Sequence, residues 1–398
     1  MKKLLMASAA TLALTGAASA EDVKLGILIG FTGPIESLTS HMANAAEAAM
    51  AEVNASGKSA HNFVSVRGDS TCVDSAAATS AAERMVTAEG VKGIIGGDCS
   101  GVTGAVLQNV ARPNGIVMVS PSATSPALTT AEDDGLFFRT APSDAREGEV
   151  MGEILKEKGV TSIALTYSNS DYGKGLAEAI AAGFTAQGGT VTINAPHDDG
   201  KADYSAEVAS LAAAGGDLLV VAGYLDQGGK GIIQASLDSG AFSQFGLPGG
   251  MVGDSLPAAI GPALDGSYGQ VAQSDSPGAA ILTEMGKAAA TPFDATSPYT
   301  MESYDAAALI MLAMHAAGST DSKVYAGKIL EIANGPADGS GVKIMPGELG
   351  KALELIAAGT AIDYDGASGV TLIGPGESAG RYKQFEIKGG VYETVQFR

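Results

Sequence analysis

The sequence predicts an α/β fold of two similar domains, each a parallel sheet flanked by helices. Three observations predict it. Short apolar runs of strand length alternate with amphipathic helical segments, which is the signature of parallel sheets buried on both faces. The alternation comes in two series, separated near residue 141. With 398 residues, 45% of them hydrophobic and 17% charged, the chain can bury two cores.

The elements follow in order. Val23 to Ile29 is a short apolar run, a buried strand, and it runs into the turn Gly30-Phe31-Thr32-Gly33-Pro34. Met42, Ala45, Ala46, Ala49, Met50 and Val53 recur at threes and fours, a helix face that Gly57 ends. Strands at Phe63–Arg67, Val91–Ile95 and Gly115–Val119 alternate with helices at Ala76–Thr87 and Gly101–Ala111. The second series has helices at Glu147–Lys158, Gly173–Gln187, Tyr204–Ala214 and Lys230–Ser239. Its strands are Ser162–Thr166, Thr190–Ala195 and Asp217–Ala222. Ala306 to Ala317 is apolar all round but too short to span a bilayer, so it reads as a buried helix.

Open parallel sheets bind ligands beyond the carboxyl ends of their strands. Here those ends are Phe31–Leu38, Asp98–Gly101, Ser120–Thr124, Ser168–Tyr172 and Gly223–Asp226. They are rich in Ser, Thr, Gly and Tyr, a hydrogen-bonding lining without a nucleophile–base pair. The 54 glycines are about twice the usual share of roughly 7%, which implies many tight turns; no period of three is present, so collagen is excluded.

The charge balance excludes other classes. With 24 basic and 44 acidic residues the formal net charge is −20. A nucleic-acid partner needs a basic footprint that this chain lacks, and no Lys/Arg run offers a dock for anionic lipid. Residues 1–20 read as a secretory signal: Lys2 and Lys3, an apolar stretch from Leu4 to Leu14, and the small-residue site Ala18-Ser19-Ala20. Residue 21 is Glu and offers no lipid anchor, so a soluble protein exported to the periplasm is expected. The two cysteines, Cys72 and Cys99, would travel to an oxidising compartment, which favours a disulfide over two buried thiols. A loop of that length contributes roughly 3–4 kcal/mol by chain entropy.

Enzyme readings fail. Gly253-Asp254-Ser255-Leu256 matches a string of one esterase family, but none of the histidines His41, His61, His197 and His315 follows an Asp by three. Gly97-Asp98-Cys99-Ser100-Gly101 lacks the spacing of a nucleophile elbow, and no P-loop or H-E-x-x-H occurs. His197-Asp198-Asp199 before Gly200 reads as a solvated turn rather than a metal site. No cofactor is expected.

The chain resembles the type I periplasmic solute-binding proteins of ABC transporters, in the branched-chain amino-acid-binding (Leu/Ile/Val-binding protein-like) group. The carriers are Gly30 to Pro34, the pair Cys72 and Cys99 with Ser100, Ser120-Pro121-Ser122-Ala123-Thr124-Ser125-Pro126, and Asp171-Tyr172-Gly173-Lys174-Gly175. Gly223-Tyr224-Leu225-Asp226, Tyr304 to Ala307 and Ala317-Gly318-Ser319 complete them. The resemblance implies two Rossmann-like lobes joined by three hinge crossings. Lobe I would combine residues 21–140 with 275–368, and lobe II residues 141–274 with 369–398. A small amino acid or related polar solute would bind between them and pass to membrane permease subunits, with the binding protein acting as a monomer. The alternatives are a sensory ligand-binding module, or a binder of a small carboxylate or amide without an ammonium.

The same resemblance implies the site. The ligand's carboxylate would meet the hydroxyls of Ser100 and Thr124 and N–H groups along Ser122, Ala123 and Thr124. Tyr172, Tyr224 and Tyr299 would line the pocket, and Leu38 stands where some relatives place a larger aromatic residue. Relatives often hold the ammonium with an acid where this chain has Gly249. Asp226 and Asp254 are the expected substitutes.

Overall fold

The computed structural model describes residues 21–398. The signal sequence expected at 1–20 lies outside the described residues.

Two sheets organise the chain. The first holds β1 (Glu21–Ile29), β2 (His61–Asp69), β3 (Ile94–Gly96), β4 (Met118–Ser120) and β5 (Phe137–Arg139), all parallel, in the order β2-β1-β3-β4-β5. Around it lie α1 (Glu36–Ser56), α2 (Ser75–Arg84), α3 (Ser100–Val106) and the single turn α4 (Arg112–Asn114). The second series supplies α5 (Asp144–Glu157), β6 (Ser162–Ser168), α6 (Asp171–Ala186), β7 (Thr190–His197), α7 (Ser205–Ala214) and β8 (Leu218–Ala222). It continues through α8 (Gly228–Ser239), β9 (Phe245–Leu247), α9 (Ser255–Ile260) and β10 (Tyr268–Ala272).

The chain then returns to the first lobe. There α10 (Pro277–Ala288) leads to α11 (Thr300–Ala317), α12 (Ser322–Asn334), β11 (Val342–Ile344), α13 (Leu349–Ala357) and β12 (Ile362–Tyr364), and α11 and α13 pack on α1. The short pair β13 (Leu372–Ile373) and β14 (Glu377–Ser378) also stays on the first lobe, through Arg139–Glu377 and Asn334–Leu372 contacts. Only β15 (Tyr382–Lys388) and β16 (Val391–Phe397) rejoin the second sheet, whose order is β16-β15-β10-β9-β8-β6-β7. The third crossing therefore falls near residue 380, about ten residues later than the sequence placed it, because β13 and β14 are held by first-lobe partners.

Both cores follow from the pattern. The middle strands are apolar on both faces because helices cover both, and β8 is buried at every position. Every residue of α11 from Thr300 to Met314 is buried, as the apolar stretch from Ala306 predicts for its middle, while the polar first turns are buried without any such pattern and residues 315–317 are partly exposed. α1 ends at Gly57 in the left-handed conformation with φ 62°, which costs glycine nothing. The Cys72–Cys99 disulfide forms and ties the loop after β2 to the start of α3. Beside it, Gly33 has φ 113°, and a Cβ there would stand 2.3 Å from the Thr71 carbonyl oxygen, so the first loop accepts glycine alone. Unlike the parallel strands, β15 and β16 run antiparallel to their neighbours. The parallel-sheet expectation did not include them.

Candidate ligand-binding site

The carboxyl ends of the strands face one another across the gap between the lobes. A cavity of about 20 Å³ remains there, lined by Ile35, Leu38, Asp98, Ser100, Ser122, Tyr172, Tyr224, Gly250 and Tyr299. That is room for about one water molecule, so the lobes must part or side chains move before a solute enters.

The first-lobe wall is a set of interlocked loops. Asp98, buried at the end of β3, accepts hydrogen bonds from the Gly30 N–H at 2.7 Å and the Ser70 hydroxyl at 2.6 Å. Burial pushes its carboxyl up, and these donors pull it back. The loop after β4 is held from behind by Arg139, 1% exposed, whose guanidinium donates to the carbonyls of Ala123 at 3.2 Å and Ser125 at 2.9 Å. It also pairs with Glu377 at 2.9 Å. Within the loop, the Ser120 hydroxyl accepts from the N–H of Ala123 at 2.9 Å and of Ser122 at 3.4 Å. Those two amides, expected to meet a ligand carboxylate, are thus occupied inside the loop in this structure. Ser100 accepts from the Ser125 N–H at 3.1 Å, so its own hydroxyl proton stays free to donate. Thr124 is buried, and its hydroxyl has no hydrogen-bond partner.

The second-lobe wall is aromatic. Tyr172, near the start of α6, and Tyr224, after β8, stack with ring centroids 5.0 Å apart and planes at 26°. The Tyr172 hydroxyl accepts from the Gly250 N–H at 2.9 Å. Tyr299 caps α11 in the left-handed region with φ 62°, a strained conformation for a tyrosine. Burial pushes the phenols of all three well up.

Residues 22–330 match the family described as periplasmic binding protein. The chain belongs to that family. A Leu/Ile/Val-binding protein homologue of Brucella melitensis is 32% identical over 81% of this chain and 85% of its own length. The branched-chain amino acid transporter substrate-binding protein of Streptococcus pneumoniae, solved with isoleucine, superposes with a TM-score of 0.76 at 19% identity. The match covers 95% of this chain and 99% of that one. An ABC-transporter solute-binding protein of R. palustris, solved with benzoate, gives 0.72 at 20% identity over 94% and 96%. Ligands with and without an ammonium are thus both seen on this fold.

In this binding protein the expected residues separate into three groups. Leu38, Ser100, Ser122, Tyr172, Tyr224 and Tyr299 line the cavity. Ala123, Thr124 and Gly249 are buried but do not line it. Asp226 and Asp254, expected to stand in for an acid at 249, do not reach it. Asp226 is spent at the cleft mouth, accepting from the Ser37 N–H at 3.1 Å, the Ser37 hydroxyl at 2.7 Å and the Ser255 hydroxyl at 2.6 Å. Asp254 is exposed beside α9 and lines a separate, open cavity of about 610 Å³ with His41 and Lys383. Sequence proximity misled, because the loops after β8 and β9 carry these two side chains away from the cavity.

His197 also departs from expectation. It is buried, not part of a solvated turn, and its Nδ1 lies 2.9 Å from the Thr166 hydroxyl. Burial lowers its pKa to about 4, so it is a neutral core residue. Among the described residues no group of His, Cys, Asp and Glu is arranged to hold a metal ion.

Sequence reasoning missed Arg139, Asp144 and Glu147, and named Asp98 only as the first residue of a strand-end loop. Asp144 and Glu147 open α5 and are 0% and 2% exposed. The Glu147 carboxylate accepts from the Gly249 N–H at 2.7 Å and the Gln270 side-chain amide at 3.3 Å. Burial pushes Glu147 up to about 7, and burial together with the neighbouring Glu147 pushes Asp144 well up.

Proposed function

We propose that this chain is the substrate-binding component of an ABC transporter, which captures a small amino acid or related polar solute between its lobes and delivers it to permease subunits. The observation that carries this reading is the cleft itself. Ser100 brings a hydroxyl with its proton free to donate to one wall, with the Thr124 hydroxyl buried in the adjoining loop, and a tyrosine stack faces Ser100 from the other lobe. Such donors hold a carboxylate without a full positive charge. The relatives named as Leu/Ile/Val-binding proteins support the amino-acid class.

The protein would act as a monomer in the periplasm after removal of residues 1–20. Among the described residues no helix is long and apolar enough to cross a membrane. The cleft calls for reversible binding.

A thermal-shift screen of the protein, refolded to strip carried-over solute, tests this against amino acids, small carboxylates, amides and polyols. A ligand at 100 times its dissociation constant stabilises by about 2.7 kcal/mol, a shift of a few degrees in a chain this size. A shift with an amino acid supports the reading, and no shift with any class would refute it. A second reading, a carboxylate without an ammonium, is favoured by Gly249, which offers no side chain to an amine.

A further inference from the structure

Helix α5 begins as the chain leaves the first sheet, and it carries Asp144 and Glu147 on one face, three residues apart. Both are buried, yet no Lys or Arg stands within ion-pair reach of either among the described residues. Arg139 pairs with Glu377 and its charge reaches Asp144 only beyond ion-pair distance, and Arg146 pairs with Glu149. Both oxygens of Asp144, the hydroxyls of Thr124 and Thr300 and the side-chain oxygen of Gln270 are buried without hydrogen-bond partners. Oxygens that deep are ordinarily paired, and buried charges are ordinarily matched. This pocket of acidic side chains and unmet oxygens leaves room for a hydrogen-bond donor or a positive charge from outside the chain.

Its position says where the charge enters. A Cβ on Gly249 would stand 3.4 and 3.7 Å from the two carboxylate oxygens of Glu147 and 2.7 Å from the Tyr299 hydroxyl. The Glu147 carboxylate therefore occupies the niche that a side chain at 249 would fill, with Tyr299 between it and the cavity. No third acid, histidine or cysteine joins the pair among the described residues, so a hydrogen-bonding organic cation fits better than a metal ion.

We propose that Glu147, backed by Asp144, is the cation subsite of this cleft, taking the ammonium of a zwitterionic amino acid once Tyr299 swings aside. The inference rests on the reading of the cleft as the solute site. The ligand's carboxylate then meets Ser100 and Thr124, and its side chain lies against Ile35, Leu38 and the tyrosine stack. α5 supplies the acid that position 249 lacks, and it does so from the hinge side of the cleft. Burial raises Glu147 to about 7 against the pull of its Gly249 and Gln270 donors, and an ammonium would draw the pair towards the ionised form.

The test is titration calorimetry on the whole stripped protein. The probes are amino acids found by thermal shift, L-leucine first, each paired with its des-amino carboxylate (4-methylpentanoate for leucine). The wild type is expected to prefer the amino acid, and Glu147→Gln to weaken it 10- to 100-fold while leaving the des-amino carboxylate unchanged. The retained carboxylate affinity shows that the variant is folded. Asp144→Asn is the second variant, expected to lose several-fold in the same selective way. Unchanged amino-acid preference in both variants overturns the proposal and leaves the binding reading standing. So does a wild type that binds the des-amino carboxylate as tightly as the amino acid. A wild type that binds neither class removes the cleft reading itself, and the proposal with it.

Discussion

Asp226 latches the closed cleft, and removing its side chain should open it. In Asp226→Ala the bonds from the Ser37 N–H at 3.1 Å and the Ser37 hydroxyl at 2.7 Å disappear, and both cross from α1 to the loop after β8. The bond from Ser255 lies within the second lobe and does not oppose opening. The backbone bond from the Asp226 N–H to the Pro34 carbonyl, at 2.9 Å, survives the substitution. A net hydrogen bond contributes about 0.5–1.5 kcal/mol, and Ser37 is exposed, so the lower part of that range applies to each. The sum is about 1–2 kcal/mol on the open–closed equilibrium, roughly a 5- to 30-fold shift towards open.

Neither lobe loses core packing, so the melting temperature of the ligand-free protein should hardly move. Solute binds the closed state, so apparent affinity should fall by a similar factor, mostly through faster release. Small-angle scattering reads the first effect and stopped-flow release the second. Unchanged scattering together with unchanged release would refute the latch. A fall of many degrees in melting temperature would place Asp226 in the lobe's own fold instead.

Thr124→Val replaces an unpartnered hydroxyl with a methyl of equal shape; thermal melting should be unchanged or slightly raised, and calorimetry should show solute affinity weaker by about 1–3 kcal/mol. Equal affinity would take Thr124 out of the site. Gly249→Ala puts a Cβ into the niche beside Glu147, 3.4 Å from one of its carboxylate oxygens, so it should lower amino-acid affinity, and an acid introduced at 249 should not improve binding while Glu147 is present. Burial pushes Glu302 up to about 8, against an ordinary 4.5. The folded chain then keeps a proton that the unfolded chain releases, so stability declines as pH rises from about 4.5 to 8. The wild type should melt higher at pH 5.5 than at pH 8, and Glu302→Gln should flatten that slope; an equal slope in both proteins would remove Glu302 as its source.

Periodicity reveals an element when burial is decided locally. Seven of the parallel strands and the apolar stretch of α11 were legible for that reason, to within a few residues at their ends, whereas β5, β9 and β10 were not placed. The antiparallel strands β15 and β16 were not. Residues 391–397 are mostly exposed at the sheet edge and pair only with β15, which is itself placed by β10, more than a hundred residues away in sequence. The first-lobe hydroxyls were legible because parallel sheets bind at their carboxyl ends, which narrows the search to a few loops.

The charge of the cleft was not legible in the same way. Asp144 and Glu147 stand in the first turns of a helix, where acids usually favour the helix dipole and face water. The local sequence gives no sign that this turn is buried between the lobes. That burial follows from where the first crossing leaves β5 and from the close packing of α5 on α6, where a Cβ on Gly148 would stand 2.3 Å from the Ala179 carbonyl carbon. Asp226 and Asp254 had the opposite character, near the expected site along the chain but turned outward by the loops that carry them. A loop's place at a strand end can be read from pattern, whereas the sign of the charge behind it depends on packing between segments a hundred residues apart. Glu147 and Gly249 are such a pair, 102 positions apart and joined by a 2.7 Å hydrogen bond. The two positions are therefore best exchanged together. Glu147→Gln with Gly249→Ala should cost less than the sum of the single changes if they share one niche, and the full sum if they do not.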